Sequence, residues 1–236
     1  MEVLSIHGSI GKKVNPLVSV VIPVKNGEPW LREVMQRYRS QTVADKMEIV
    51  VIDSGSSDDS IGICKQFGAT VHEIDPGSFN HGLTRNLGVQ FSKGEFILMT
   101  VQDALPANEH FLEELLGVFS ESEAVAVCGL QVVPSNGDTN PFVWHKPIDV
   151  PQVSVYQFPQ AAAFDGLSPA EKRDVCRWDD VCAMYRRDII TKFRFPPIAF
   201  GEDMAWCKEV LRAGYKIAYQ PKANVFHYHD DTGQVL

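Results

Sequence analysis

The 236-residue sequence lacks the surplus of basic side chains that proteins binding nucleic acid or anionic lipid usually carry. Lysine and arginine together number 22, against 30 aspartate and glutamate residues, which gives a net charge of −8 at pH 7. This balance argues against broad electrostatic attraction to a polyanion. We therefore expect no nucleic-acid partner.

Closely spaced cysteines are also missing. The five cysteines are far apart and include no CxxC pair, so a zinc site built on cysteine is not expected. An odd number of widely spaced cysteines fits free thiols in a reducing compartment, where they serve as small buried residues. A catalytic cysteine stays open as the alternative, and buried structural cysteines are the expectation.

A long apolar run is missing as well. No stretch approaches the roughly 20 residues needed to cross a bilayer, and residues 1–16 contain no sustained apolar segment of the signal-peptide type. We expect a cytoplasmic protein, with peripheral contact at the inner face of the membrane left open. Residues 17–231 suit one large domain, between an N-terminal extension (1–16) and a C-terminal end (232–236) that is either trimmed or naturally short.

Strand and helix patterns alternate through the first half of the chain, which predicts an α/β fold with a mainly parallel sheet. Ser56 or Ser57 is predicted to cap the second helix, and Gly214 to end the last one. A proline-rich stretch, 134–169, has no clear period and is predicted to be a long functional loop. The predicted strands are 19–23, 47–52, 69–74, 96–101, 125–133, 216–219 and 224–226, and the predicted helices are 28–40, 56–68, 83–92, 108–119 and 202–213. Regular structure is predicted to resume at 178–187, with residues 177–180 just before a strand.

Two aspartates stand in matching contexts along this pattern. Asp53 and Asp103 each end an apolar strand pattern and open a polar or turn-forming segment. The carboxyl ends of strands in open α/β sheets are where nucleotides bind. Together with the strand that ends near Asn26, they predict one crevice lined by several strand ends, which we interpret as a nucleotide-sugar site.

Six sequence segments in this order resemble family 2 glycosyltransferases of the GT-A fold. They are VSVVIPVKNGE, IVVIDSGSSDDS, TRNLGV, KGEFILMTVQDALP, FGEDMAWCKEVLRAGYKIAY and VFHYHD. The resemblance covers residues 17–231 and implies a Rossmann-like three-layer α/β/α sandwich. It also implies inverting transfer of a sugar from a nucleoside-diphosphate donor to a glycan or lipid-linked acceptor. Residues 102–104 and 180–187 resemble the rhamnosyltransferase-type branch, which implies L-rhamnose from dTDP-rhamnose in cell-surface polysaccharide synthesis.

The resemblance implies a set of donor-binding residues near the strand ends. Asp53 would accept a hydrogen bond from the base, and the guanidinium of Arg85 would reach the diphosphate or the ribose. The ordinary alternatives are an Asx turn for Asp53, a first-turn acid for Glu28 and a surface arginine for Arg85. The full implied set is Pro23, Val24, Asn26, Glu28, Asp53, Arg85, Gln102 and Asp103.

The same resemblance makes Asp103 a ligand of a divalent cation, Mn²⁺ or Mg²⁺, that would bridge two phosphate oxygens of the donor. Family members usually carry two acids here as Asp-x-Asp, but the first position is Val101 in this chain. A further ligand is therefore required. His227 and His229 fall on the same side of an extended segment, and either can supply it. The alternative is a pair of ordinary histidines at the edge of the core.

A pair of acids, Glu202 and Asp203, opens the last predicted helix. Inverting transfer needs a base that takes the proton of the acceptor hydroxyl, and we assign that role to Asp203, with Glu202 orienting the acceptor or sharing the role. Acids at a helix start also satisfy free N–H groups and the helix dipole, which is the alternative. The predicted acceptor-binding residues are Trp178, Asp180 and Trp206, for which a strand edge or the core is the other interpretation.

Two other functions stay open on sequence grounds. The missing acid at Val101 fits a non-catalytic subunit that only binds a sugar nucleotide. A nucleotidyltransferase on a related nucleotide-binding sheet is the other, although the N-terminal part shows no glycine-rich loop with lysine and arginine. Turnover of a sugar nucleotide would separate the glycosyltransferase from both.

Overall fold

A computed structural model of the chain describes residues 15–132 and 152–227, and it contains a nine-stranded sheet. Eight strands follow the order β3-β2-β1-β4-β8-β6-β9-β5, and β7 pairs with β9. Six strands (β3, β2, β1, β4, β6 and β9) run in one direction, and β8, β5 and β7 run against them. The strands are β1 (Val18–Val24), β2 (Met47–Asp53), β3 (Thr70–Glu73), β4 (Phe96–Met99), β5 (Ala104–Pro106), β6 (Ala126–Val132), β7 (Ser154–Tyr156), β8 (Ala183–Arg186) and β9 (Ile217–His227).

Eight α-helices in the described part of the chain cover this sheet. α3 lies against β1 and β2 and contacts α7 and α8, whereas α1 packs on α2 and α4 lies against β6 and β9. The predicted α/β fold with a mainly parallel sheet is therefore confirmed. The helices are α1 (Glu28–Arg39), α2 (Ser60–Gln66), α3 (His81–Phe91), α4 (Phe111–Ser122), α5 (Ala161–Asp165), α6 (Pro169–Val175), α7 (Arg187–Lys192) and α8 (Glu202–Arg212).

The apolar patterns that predicted the elements are the ones that pack. Six of the seven residues of β1 and of β2 are buried, as expected for strands covered on both faces. Each fully buried aliphatic side chain stabilises the fold by roughly 1.5–3 kcal/mol. In α1 the buried residues recur at helical spacing: Leu31, Val34, Met35 and Tyr38.

Parallel strands end at a common edge, here called the carboxyl edge, where β1, β2, β4, β6 and β9 end at Val24, Asp53, Met99, Val132 and His227. α3 precedes β4 and α8 precedes β9, so both helices run back from this edge and begin there. The segment before β8 also lies there, because Ala183 pairs with Met99. Residues far apart in the sequence therefore meet at the carboxyl edge.

The close approach of α3 to β1 depends on Gly88. A Cβ atom at this position would lie 2.2 Å from Cγ1 of Val21, which is fully buried. We expect Gly88→Ala to lower the free energy of unfolding by about 1–3 kcal/mol, despite the better helix propensity of alanine. Urea denaturation measures this change.

The matched control is Gly117→Ala in α4, where an added Cβ has no neighbour within 4 Å. This variant is expected to gain up to about 1 kcal/mol of stability from helix propensity alone. Equal stability of the two variants would show that α3 can move away from β1 at little cost.

Several sequence predictions need correction. α2 begins at Ser60, and neither Ser56 nor Ser57 caps it. The predicted loop 134–169 falls outside the described residues up to 151, but its remainder contains β7 and α5. The strand predicted after residue 180 is β8, and the two predicted final strands are one, β9. The elements not expected were β5, α6 and α7.

No helix within residues 15–132 and 152–227 has both the length and the apolar composition that a membrane crossing requires.

Candidate active site

The loops that follow β1 and β2 are joined through side chains. Asp53 is fully buried, and its Oδ1 accepts the N–H groups of Gly55 and Ser56, both at 2.9 Å. Its Oδ2 accepts the hydroxyl of Ser56 at 2.5 Å. This is the Asx-turn arrangement that the sequence left open for Asp53. Contact with a nucleotide base therefore stays a prediction.

Asn26 and Glu28 complete the connection between the two loops. Asn26 has a φ of +50°, in the left-handed region that asparagine tolerates best after glycine. Its Oδ1 accepts the N–H of Ser57 at 2.8 Å, and Glu28 Oε2 accepts the N–H of Asp59 at 3.2 Å. Both side chains therefore hold the β2 loop against the end of β1, beside Pro23 and Val24.

Gln102 connects the ends of β1 and β4. Its Oε1 accepts the N–H of Lys25 at 2.8 Å, and its Nε2 donates to the carbonyl of Lys25 at 3.1 Å. An amide can make this pair of bonds, whereas an ionised carboxylate can only accept. Gln102 therefore connects the segment after β4 to the end of β1, and Asp103 is the acid of this segment.

Asp103 lies next to His227 because of the register between two short ladders. Ala104 in β5 pairs with His227 at the end of β9. Asp103 Oδ1 is 3.2 Å from His227 Nε2, and His227 Nδ1 is 2.8 Å from the amide nitrogen of Gln131. A hydrogen bond at one ring nitrogen of a histidine fixes the orientation of the ring and therefore the direction of its other nitrogen. Gln131 therefore directs Nε2 of His227 towards Asp103.

This pair fits a divalent cation by chemistry and by spacing. Carboxylate oxygen and imidazole nitrogen both bind Mn²⁺, and two ligands at about 2.1 Å on adjacent positions of one ion stand about 3 Å apart. Within the described parts of the chain, no cluster of three or more histidine, cysteine, aspartate or glutamate side chains is placed to hold a metal. These parts thus offer two ligands, and His229 lies outside them.

A second group of charged residues, here called the acid cluster, consists of the three acids Asp180, Glu202 and Asp203 and the arginine that pairs with two of them, Arg85. Arg85 comes from α3 and Glu202 opens α8, so both stand at the carboxyl edge. The guanidinium of Arg85 donates from Nη1 to Glu202 Oε1, and its Nε lies 3.2 Å from Asp180 Oδ2. Arg85, Asp180 and Glu202 are only 6%, 1% and 5% exposed. The ion pairs are therefore largely shielded from water.

An aromatic support lies beneath the acid cluster. Tyr185 in β8 donates its hydroxyl to Asp180 Oδ1, and Trp178 Nε1 donates to the Tyr185 oxygen at 2.6 Å. Trp206 packs edge-to-face on Tyr185, with ring centroids 4.6 Å apart, and donates to the carbonyl of Phe193 at 2.6 Å. Every polar atom of these rings is thus used inside the protein.

Asp203 is the accessible carboxylate of the acid cluster. It is partly exposed, its Oδ1 accepts the N–H of Met204 at 2.7 Å, and its Oδ2 lies 3.4 Å from the backbone nitrogen of Asp180. Burial raises the pKa of Asp203 to about 6, and the charges of Asp179 and Glu202 act in the same direction. A carboxylate that binds a proton near neutral pH and reaches solvent can serve as a general base.

Burial changes the interpretation of the predicted acceptor residues. Trp178 and Trp206 are 3% and 1% exposed, so neither ring offers a face on which a sugar could stack. Asp180 is 1% exposed and bonded to Tyr185. We correct these three assignments to a supporting role. The guanidinium of Arg85 likewise points at two carboxylates, which does not fit the predicted contact with the donor diphosphate.

Two supporting residues were missed from the sequence. Tyr185 and Gln131 stand inside predicted strands, and nothing in a strand pattern marks a side chain that bonds to a residue of another element. The available signal for Gln131 was a polar residue near the end of an otherwise apolar strand.

A mainly parallel α/β/α sandwich with strand-end acids is the arrangement expected of a GT-A glycosyltransferase. The model of glycosyl transferase family 2 matches residues 19–194, and the chain belongs to this family. Among curated relatives, the O-antigen chain rhamnosyltransferase WbaN of Salmonella anatum is 28% identical over 223 residues, covering 92% of this chain and 68% of that protein. RfbN of Salmonella typhimurium, with the same description, is 29% identical over 222 residues and 91% of this chain, but the match spans 67% of its own length.

Solved structures show the same fold at low sequence identity. TarS 1-349 of Staphylococcus aureus in complex with UDP-GlcNAc has a TM-score of 0.69 at 19% identity, covering 91% of this chain and 59% of that one. The mannosyltransferase PcManGT of Pyrobaculum calidifontis, solved with GDP-Man and Mn²⁺, has a TM-score of 0.66 at 18% identity, covering 94% and 59%. The chain thus spans about three fifths of these structures.

Proposed function

We propose that this chain catalyses inverting transfer of L-rhamnose from dTDP-L-rhamnose to a glycan or lipid-linked acceptor in the synthesis of a cell-surface polysaccharide. The observation that carries the proposal is the presence of two acid sites at the same carboxyl edge of the sheet. One is the Asp103–His227 pair, and the other is Asp203 with its raised pKa. The two Salmonella relatives described as O-antigen chain rhamnosyltransferases support the choice of sugar.

The donor would lie across the ends of β2, β1 and β4, which are neighbours in the sheet. Pro23, Val24 and Asn26 would frame the base, with Glu28 behind them. Asp53 holds the β2 loop through Gly55 and Ser56 and is proposed to accept from the base with a remaining lone pair. Gln102 would hold the backbone next to Asp103 in place by binding the backbone N–H and carbonyl of Lys25.

Asp103 and His227 are the residues that would hold Mn²⁺ or Mg²⁺ at this edge. When bound, such an ion supplies positive charge for the diphosphate that leaves. Gln131 contributes by fixing the ring of His227, and its amide can rotate to present oxygen in place of nitrogen. His227 can therefore be held with Nε2 free of its proton, as binding to a cation requires.

Asp203 is proposed to remove the proton of the attacking acceptor hydroxyl, and Glu202 to hold α8 in place through Arg85. The displacement occurs in one step, with the acceptor oxygen entering on the face of the sugar opposite the diphosphate. The rate of transfer then depends on the ionised fraction of Asp203. It should reach its maximum at pH values above the Asp203 pKa of about 6 and decrease as the pH falls through this value.

The test is release of nucleoside diphosphate from a panel of sugar nucleotides, with Mn²⁺, Mg²⁺ or a chelator present. We expect dTDP-L-rhamnose to be turned over fastest, even without an acceptor, through slow hydrolysis that the chelator abolishes. Turnover of a different sugar would keep the enzyme class and overturn the proposed donor. Tight binding without turnover in the presence of candidate acceptors would favour a non-catalytic subunit. Pyrophosphate release from a nucleoside triphosphate and a sugar phosphate would favour a nucleotidyltransferase.

A further inference from the structure

One buried cation serves three carboxylates in the acid cluster. Arg85 contacts Glu202 and Asp180 directly, whereas Asp203 has only backbone N–H donors as its hydrogen-bond partners in the described parts of the chain. With all acids ionised, one positive charge would face three negative ones. Uncompensated buried charge is costly, so such a cluster tends to bind a proton.

Two carboxylates of the acid cluster have a raised pKa, and they differ in their access to solvent. Burial holds the pKa of the Asp180 carboxyl well above its usual range, although the charge of Arg85 acts in the opposite direction. Asp203 is left with a raised pKa and access to solvent. Arg85 nevertheless acts on Asp203 through space and lowers its pKa relative to what burial alone would give.

Arg85 also fixes where Asp203 stands. Asp180 is held by the guanidinium on one oxygen and by Tyr185 on the other, and its backbone nitrogen lies 3.4 Å from Asp203 Oδ2. Glu202 is the residue immediately before Asp203, and its salt bridge attaches the first turn of α8 to α3. The guanidinium therefore holds both residues that adjoin Asp203: Glu202 precedes it in the sequence, and Asp180 donates a backbone hydrogen bond to it.

From this geometry we propose that Arg85 is a positioning residue for Asp203: it compensates Glu202 and Asp180, holds both next to Asp203, and so sets the location and the proton affinity of that carboxylate. The inference deepens the proposed function and rests on it for the role of Asp203. It differs from a contact with the donor diphosphate, since Arg85 is buried and its guanidinium is paired with two acids.

Other charged and titratable groups around Asp203 must be considered as well. The segment before β8 contributes Asp179, and α8 contributes Cys207. His81, from the first turn of α3, interacts with Arg85 and Glu202, and burial lowers its pKa. Within this set, Arg85 is the cation that pairs with both Asp180 and Glu202, the two residues that adjoin Asp203. The other titratable groups of the set are Asp179, Tyr185, Cys207 and His81.

The direct test is the titration of the Asp203 carboxyl carbon by NMR, which does not need turnover. In Arg85→Met we expect the apparent pKa of Asp203 to rise by on the order of one unit, because a nearby cation is lost. In the double variant Arg85→Met/Glu202→Gln, a carboxylate whose charge raises the pKa of Asp203 is removed together with the cation, and the value should return towards the wild type. An unchanged pKa in the single variant, or no return in the double variant, would overturn the proposal.

Arg85→Lys separates positioning from charge and is expected to fold, because the positive charge is kept. Lysine cannot bind two carboxylates in a fork, so we expect kcat for donor turnover to fall about tenfold while the donor KM stays within about twofold. A raised donor KM with unchanged kcat would instead place Arg85 on the diphosphate. Absent turnover in the wild type would count against the proposed function alone, since the NMR titration would still decide the role of Arg85.

Discussion

Asp203→Asn is expected to lower sugar transfer by on the order of 10²- to 10⁴-fold, the usual contribution of a general base. Asparagine keeps the size of the side chain and can still accept the N–H of Met204, so α8 should begin as in the wild type. It cannot take a proton from the acceptor. Donor binding should remain nearly intact, because Asp203 lies in the acid cluster and not at the strand ends of β1, β2 and β4.

The pH dependence of transfer gives a second measure of the same residue. The pKa of Asp203 is raised to about 6, and only its ionised form can act as base. In the wild type, kcat/KM should therefore be constant at high pH and decrease as the pH falls through about 6. In Asp203→Asn this acidic limb should disappear from the small residual rate.

The matched control is Asp179→Asn, which removes one negative charge from the same region and leaves the base in place. Because the charge of Asp179 raises the pKa of Asp203, the acidic limb should move to lower pH with transfer retained. Loss of donor binding in Asp203→Asn would contradict the assignment of a base. A limb that survives in this variant would point to another titrating group.

Local sequence patterns were sufficient for the elements that pack through their own periodicity. The predicted helix 28–40 and strand 47–52 agree with α1 and β2 to within one residue at each end, because each presents its apolar residues at its own period. β5 gave no such signal. Its three residues form a strand only by pairing with β9, more than 100 residues later in the sequence.

Pro221 shows why the last strand was predicted as two pieces. Proline lacks the N–H that a ladder needs, so a break at this position was the natural prediction. The strand continues because β9 is irregular at this place: Tyr219 pairs with Cys128 and Asn224 with Leu130, so the extra residues between the two pairs, Pro221 among them, belong to β9. A register shift that leaves a proline outside the ladder depends on the pairing of two strands and cannot be read from either strand alone.

The candidate site divides in the same way. Strand-end and helix-start acids such as Asp103 and Asp203 could be found because their position follows from the element next to them. The roles of Arg85 and Trp206 could not be found, since an arginine or a tryptophan has the same sequence pattern whether it faces a ligand or a buried partner. Glu202 and Tyr185, which lie opposite these two side chains, are supplied by the tertiary fold.

Asp103→Ala is expected to abolish the metal-dependent part of donor turnover, a loss of at least about 100-fold, because a bound cation is worth several kcal/mol to a departing diphosphate. His227→Ala should have the same direction of effect, since the two ligand atoms are 3.2 Å apart and would share one ion. Titration of Mn²⁺ in the presence of dTDP measures the affinity directly. It should weaken in both variants, and by about 10- to 100-fold in Gln131→Ala, which removes the partner of the His227 ring.

Asp45→Ala is the matched control for this experiment. Asp45 is exposed and lies just before β2 begins, at the edge of the sheet opposite Asp103, so its loss should change neither Mn²⁺ affinity nor turnover. If Asp103→Ala binds Mn²⁺ as tightly as this control, the Asp103–His227 pair is a hydrogen bond within the protein and no metal site. If affinity falls only in Asp103→Ala and His227→Ala is unaffected, the second ligand is another residue, and His229 is then the residue to test next.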